Sequence, residues 1–149
     1  MRGTALAEGI GDRLQRLNAC PDCYVLIAKP AISVSTKFVY ENLHADELKE
    51  HPDIEGVLTA IRDGDLQGMA ESMGNVLETV TIPAYPVIAE IKNFLLEYGA
   101  LGAMMSGSGP TVFGIFSDLA SGEAAKAALK QRHIAQVVYL TEVYHGNTK

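Results

Sequence analysis

Residues 99–116 read Gly-Ala-Leu-Gly-Ala-Met-Met-Ser-Gly-Ser-Gly-Pro-Thr-Val-Phe-Gly-Ile-Phe. Five glycines in eighteen residues cost chain entropy unless the backbone needs positive φ or a close approach. Apolar runs flank a centre of Ser106, Gly107, Ser108, Gly109, Pro110 and Thr111, so the stretch reads as two strands joined by a tight turn or a functional loop. Ser-Gly-Ser-Gly bares several backbone N–H groups, which suits a phosphate or an oxyanion. A hairpin whose glycines only make the turn accounts for the same residues equally well. No Lys follows the second glycine, which excludes a Walker loop. Met104 stands two places before Ser106, where a nucleophile elbow carries Gly.

The rest of the chain supplies what two such strands pack against. Residues 24–28 are a continuous apolar run closed by Lys29 and Pro30, the pattern of a strand buried on both faces. Ser33, Ser35 and Thr36 offer N-cap oxygens to a short helix running through Tyr40 and Asn42. Asp53 caps a stronger one, with Ile54, Val57, Leu58 and Ile61 on one face and a stop at Gly64. Asp65 opens the next, whose stripe runs Leu66, Met69, Met73, Val76, Leu77. Pro86 suits the first position of a helix carrying Ile88, Ile91, Leu95 and Tyr98 until Gly99 ends it. After the glycine-rich hairpin come a helix over about 121–132 and a strand over 137–143. The block order is strand, several helices, strand, strand, helix, strand. This predicts an α+β, ferredoxin-like β-α-β-β-α-β domain: an antiparallel sheet with helices on one face and extra helices in the first crossover. Residues 1–20 fit it poorly. A short extended piece over 4–11 precedes irregular chain up to Pro21, the kind of segment that frays or pairs with something outside the chain, a second copy included.

Composition narrows the function. The 149 residues are one domain's worth, 48% hydrophobic and 20% charged, which excludes disorder. A net charge of −6 and no run of Lys or Arg disfavour a nucleic-acid partner. No apolar run reaches the roughly 20 residues of a membrane helix. The first residues have no signal-peptide core, and two cysteines make no disulfide scaffold; the expected location is the cytoplasm.

Met105, Ser106, Gly107, Ser108, Gly109, Pro110, Thr111, Val112, Phe113 and Gly114 together resemble the third motif of the GHMP kinases. Residues 29–40, with Ser33-Val34-Ser35-Thr36 at their centre, resemble the entry to the C-terminal domain of one branch. That branch comprises the kinases of 4-diphosphocytidyl-2-C-methyl-D-erythritol in the non-mevalonate route to isoprenoids. Residues 75–78 and 85–88 are similar to the same branch, and residues 3–11 resemble the end of its N-terminal domain. The resemblance therefore runs over nearly the whole chain in order. It implies a remnant of the N-terminal kinase domain over 1–20 and a GHMP kinase C-terminal domain over 21–149. It also implies ATP and Mg²⁺ as the complete enzyme's cofactors, phosphorylation of the substrate's 2-hydroxyl, a substrate contact from the Thr36 hydroxyl and a Tyr40 ring offered to the cytosine. Ser106, Gly107, Ser108 and Gly109 would then fix the phosphates beside an ATP loop. Thr36 and Tyr40, at i and i+4, can share one helix face; without the resemblance, Thr36 reads as a cap and Tyr40 as a core aromatic.

The family's ATP loop, of the form P-x-x-x-G-L-G-G-G-S-S, has no counterpart in these residues, and its catalytic Asp and Lys belong to the N-terminal half. Phosphoryl transfer depends on positioning and charge around the γ-phosphate, so no catalytic residue is expected within this chain, and the chain by itself is expected to be inactive. The missing N-terminal domain is the expected partner, with a homodimer possible if residues 4–11 exchange. Two other readings compete: a kinase of homoserine or mevalonate, against which Ser33-Val34-Ser35-Thr36 argues, and a free-standing module that binds a small anion at the Gly/Ser loop. The remaining signals are weak. Cys20-Pro21-Asp22-Cys23 precedes a strand rather than opening a helix, and lacks the further ligands of a zinc site. His44, His51, His133 and His145 are scattered, so no metal site is expected. Asp46, Glu47 and Glu50 form a solvated face, and Asp63 and Asp65 are turn and cap residues.

Overall fold

The computed structural model of the protein describes residues 3–44 and 51–143. The acidic stretch of Asp46, Glu47 and Glu50 lies outside the described residues, as does His145.

Four strands make the main sheet: β3 (Tyr24–Lys29), β4 (Gly102–Met105), β5 (Val112–Phe116) and β6 (Val137–Glu142), in the order β4-β5-β3-β6 with every neighbour antiparallel. Two further strands, β1 (Ala5–Glu8) and β2 (Arg13–Arg16), pair only with each other. The main order is that of the expected ferredoxin-like domain. Its first crossover holds α1 (Thr36–Glu41), α2 (Ile54–Asp63), α3 (Leu66–Ser72), α4 (Glu78–Ala84) and α5 (Val87–Glu97), and its second holds α6 (Leu119–Arg132).

Side-chain alternation along the central strands divides the interior. Leu26 and Ala28 of β3, with Val112 and Phe116 of β5, join Ile88, Ile91 and Leu95 of α5 and Ala125 and Leu129 of α6 in the larger core. Val25, Phe113 and Ile115 point the other way, into a second core with Ala60 and Ile61 of α2 and Met69 of α3. The expected placement of helices on one face thus describes α5 and α6, while α2 and α3 cover the opposite face. The reason lies in β3 and β5, apolar at both parities, which must be covered on both sides. α3 approaches closely enough that a Cβ on Gly102 of β4 would sit 2.8 Å from the Ala70 carbonyl oxygen.

Three aspartates start helices: Asp53 Oδ1 accepts from Gly56 N at 3.0 Å, Asp65 Oδ1 from Gly68 N at 3.0 Å, and Asp118 Oδ2 from Ser121 N at 2.8 Å. The Ser121 backbone N–H, seconded by the Ser121 hydroxyl, holds the Asp118 carboxyl below its usual range. Capping by Asp118 sets the start of α6 at Leu119, two residues before the position expected from composition.

The stripe running from Leu66 to Leu77 does not belong to one helix. α3 ends at Ser72, Met73 is extended at ψ 142°, and α4 starts at Glu78. Met69 and Met73 belong to the second core and Leu77 to the first. Residues 73–77 therefore carry the chain around the edge strand β4 from one face of the sheet to the other. Pro86 stands one place before the expected position, at the cap of α5.

The chain before Pro21 is also more ordered than its composition suggests. β2 pairs with β1, Leu17 N donates to the Thr4 carbonyl at 2.9 Å, and Cys20 N donates to Thr4 Oγ1 at 2.9 Å. Leu17 and Cys20 pack on the second core, which ties the hairpin to the rest of the chain.

Candidate functional site

Pro30, wholly buried, closes β3. Ser35 caps α1, its Oγ accepting from Phe38 N at 3.2 Å, and Val39, fully buried in the larger core, anchors the helix. Burial of one such side chain stabilises by about 1.5–3 kcal/mol. Because Ser35 is the cap, the Thr36 hydroxyl is not committed to that role. Thr36 lies in the first turn, exposed, and Tyr40 one turn on is 60% exposed, so its ring is not a core aromatic.

The loop between β4 and β5 meets this helix. Thr36 Oγ1 lies 3.0 Å from Ser108 Oγ, within hydrogen-bond distance, across 72 residues of chain. The two stretches that the sequence singles out separately are thereby brought together. Ser106 and Gly107 are exposed, Ser108 and Gly109 half-buried, and Ser106 N donates to the Thr111 carbonyl at 2.8 Å to close the hairpin.

Positive φ is confined within the loop to Gly107 (57°) and Gly109 (87°). Only the second is also crowded: a Cβ on Gly109 would lie 2.8 Å from Met105 Sδ and 3.3 Å from Thr81 Cγ2.

Three residues with no assigned role in the sequence hold the loop from beneath. Asn75 Nδ2 donates to the carbonyls of Met105 and Gly107, both at 2.8 Å, while its Oδ1 accepts from Leu77 N at 3.1 Å. Thr81, fully buried, donates through Oγ1 to the Ser108 carbonyl at 3.1 Å. Glu78 Oε2 accepts from Met105 N at 2.8 Å and Oε1 from Lys92 Nζ at 2.6 Å. Thr81 is the one buried polar residue among the described residues, and the sequence carries no signal of that burial, because Pro83 hides the helix. The contacts of Asn75 and Glu78 depend on the passage around β4, which periodicity did not reveal.

The loop and helix thus offer hydroxyls, backbone N–H groups and one open aromatic ring. Such a set can hold a phosphate ester and stack a base. It does not fit a magnesium ion: Glu78, the carboxylate whose bonds reach the loop, has both oxygens engaged, and hydroxyls with N–H donors are a poor donor set for a hard cation. Among the described residues no group of three or more His, Cys, Asp or Glu could hold a metal ion. The other sequence signals lie elsewhere. Cys20 and Cys23 are not joined in a disulfide, and Cys20 Sγ lies 3.6 Å from Met69 Sδ. Contact with the Cys20 thiol, and then burial, push the Cys23 thiol up, which suits packing rather than nucleophilic chemistry. His133 takes the left-handed position ending α6, Asp65 caps α3, and Asp63 accepts from Arg62 Nε on the surface at 3.2 Å. No helix among the described residues is long and apolar enough to cross a membrane.

Residues 57–135 match the family described as GHMP kinases C terminal. The chain belongs to that family. The match runs from within α2 to just past the end of α6 and so contains the Gly/Ser loop with all three of its supports. Among curated relatives, the 4-diphosphocytidyl-2-C-methyl-D-erythritol kinase of Lachnospira eligens is 57% identical over 144 residues, covering 97% of this chain and 50% of the relative. The enzyme of the same name from Lachnoclostridium phytofermentans is 50% identical over 146 residues, covering 98% and 50%. A crystal structure of 4-(cytidine 5'-diphospho)-2C-methyl-D-erythritol kinase superposes with a TM-score of 0.76 at 25% identity, over 95% of this chain and 50% of that one. The chain spans about half the length of the curated relatives it matches.

Proposed function

We propose that this domain is the substrate side of an ATP-dependent kinase that phosphorylates the 2-hydroxyl of 4-diphosphocytidyl-2-C-methyl-D-erythritol in the cytoplasm. The observation that carries the reading is the 3.0 Å approach of Thr36 Oγ1 to Ser108 Oγ, because it makes the exposed face of α1 and the Gly/Ser loop one surface. A cytidine diphosphate moiety fits that surface in two parts. The Tyr40 ring stacks on the cytosine, a contact worth about 1–3 kcal/mol per base; the N–H groups of Gly107 and Ser108 and the hydroxyls of Ser106 and Ser108 take the diphosphate, while the N–H groups of Ser106 and Gly109 are spent on the Thr111 and Ser106 carbonyls. Thr36 lies between them.

ATP, Mg²⁺ and the catalytic acid–base pair belong on this reading to an N-terminal kinase domain. Residues 1–20 form the end of that domain, which agrees with β1 and β2 making a sheet of their own. The bond network beneath the loop supports preorganisation, on which phosphoryl transfer chiefly relies.

The experiment that tests the surface is an amide-shift titration of this chain with cytidine diphosphate and, separately, with inorganic pyrophosphate. Cytidine diphosphate should move the amides of Thr36, Tyr40 and residues 106–109 saturably, and bind about fivefold to 150-fold tighter than pyrophosphate, as 1–3 kcal/mol of stacking requires. Tyr40→Ala should abolish the difference. Equal affinities at the loop would favour the small-anion module instead.

A further inference from the structure

Resting on that kinase reading, we propose that Glu78 is a positioning residue for the Gly/Ser loop, and that it must be a carboxylate because it serves two opposed donors. β4 is an edge strand, so the outward backbone groups of its last residue, Met105, have no strand partner on that side. The chain passing around the edge supplies replacements: Asn75 Nδ2 on the Met105 carbonyl at 2.8 Å and Glu78 Oε2 on Met105 N at 2.8 Å. Met105 is the residue from which the loop departs, so these bonds set the position and direction of Ser106 and Gly107.

The other oxygen of Glu78 accepts from Lys92 Nζ at 2.6 Å, and the two side chains are only 17% and 21% exposed. Lys92 belongs to α5, which packs on the sheet through Ile88, Ile91 and Leu95. The carboxylate therefore braces the loop's root against a helix whose apolar face is buried on the sheet.

A carboxylate can accept from both donors at once, whereas an amide has a single acceptor oxygen and two donors of its own. In Glu78→Gln the charged ammonium of Lys92 makes the stronger bond and takes that oxygen. The amide NH₂ then faces the N–H of Met105, donor against donor, and the root of the loop moves. Removing the competitor reverses this: in Glu78→Gln with Lys92→Met the amide oxygen is released to Met105.

The test uses two readouts. In the complete kinase, made by joining this chain to the remaining half of the Lachnospira eligens relative, Glu78→Gln should lower kcat roughly tenfold to a hundredfold with KM for the diphosphocytidyl substrate within about threefold, the cost of a small misplacement. The double variant should recover most of that loss. In this chain without substrate, amide exchange at Met105 and Ser106, whose N–H groups donate to Glu78 and to the Thr111 carbonyl, should quicken by about tenfold or more in Glu78→Gln and return in the double variant, while Leu26 stays unchanged. An unchanged kcat with a lowered Tm would overturn the proposal, making the pair structural only. A double variant as slow as Glu78→Gln would also overturn it. If Glu78→Gln does not fold, the double variant carries the test, and loss of Met105 protection there overturns it. Should the complete kinase show no activity at all, the kinase reading fails, while amide exchange still decides the role of Glu78.

Discussion

Alanine at Gly109 is expected to abolish the function of the loop, cutting turnover of the complete kinase by a hundredfold or more on the order expected for a misplaced site. Two effects combine. Gly109 has a φ of 87°, a conformation that costs a residue with a Cβ about 1–3 kcal/mol. Its new methyl would also lie 2.8 Å from Met105 Sδ and 3.3 Å from Thr81 Cγ2, and both residues are fully buried, so neither can withdraw without disturbing the core. The loop must move instead, and with it Ser108. Gly107 provides the internal control. Its φ is 57° and nothing lies within 4 Å of a Cβ there, so Gly107→Ala should cost only about 1–2 kcal/mol and leave the loop in place. Cytidine diphosphate titrations of the two variants check the contrast: shifts at residues 106–109 should vanish in Gly109→Ala and persist in Gly107→Ala.

Phe116→Ala is expected to be the most destabilising single truncation in the domain. Phe116 is the largest of the fully buried side chains and sits on β5 opposite Tyr24, in the core between the sheet and helices α5 and α6. Truncation of such a residue costs about 3–5 kcal/mol, against a total stability of about 5–15 kcal/mol for a domain. Thermal unfolding should show Tm lowered by roughly 6–20 °C, at about 2–4 °C per kcal/mol for a chain of this size. A loss under about 1 kcal/mol would mean that the larger core is not organised around β5.

The local signals in the sequence translated well into elements. Asp53, Asp65 and Asp118 all cap helices, though only the first two were recognised, because the Ala- and Lys-rich α6 has little amphipathic pattern to point back to its start. The apolar runs over 24–28 and 112–116 became the two central strands, and the Gly/Ser stretch became the connection between β4 and β5. Periodicity failed where the chain changes faces. Leu66, Met69, Met73 and Leu77 keep a helical spacing past the end of α3, into residues 73–77 that are not helical, because residues on either side of the turn each answer to a different core. α4 was missed for a related reason: Pro83 lies inside it, and a proline argues against helix in any reading by propensity.

The site was legible in its parts and not in its assembly. The resemblance names Thr36, Tyr40 and residues 106–109 as candidates, but no spacing in the sequence relates Thr36 to Ser108, which are 72 residues apart. The supports were less visible still. Asn75, Glu78 and Thr81 look like ordinary helix-cap and surface residues until the path around the β4 edge brings them under the loop. A fold with an edge strand beside the Gly/Ser loop needs side chains to complete that strand's hydrogen bonds, and here those side chains also hold the loop.

The measurement that tests the account most directly is ATP-dependent phosphoryl transfer by the complete kinase, with 4-diphosphocytidyl-2-C-methyl-D-erythritol, homoserine and mevalonate compared as acceptors and this chain alone as the control. The account predicts steady turnover with the first acceptor at its 2-hydroxyl, none with the other two, and none from the chain alone. Turnover by the chain alone, or a complete kinase that binds ATP but prefers another acceptor, would contradict it.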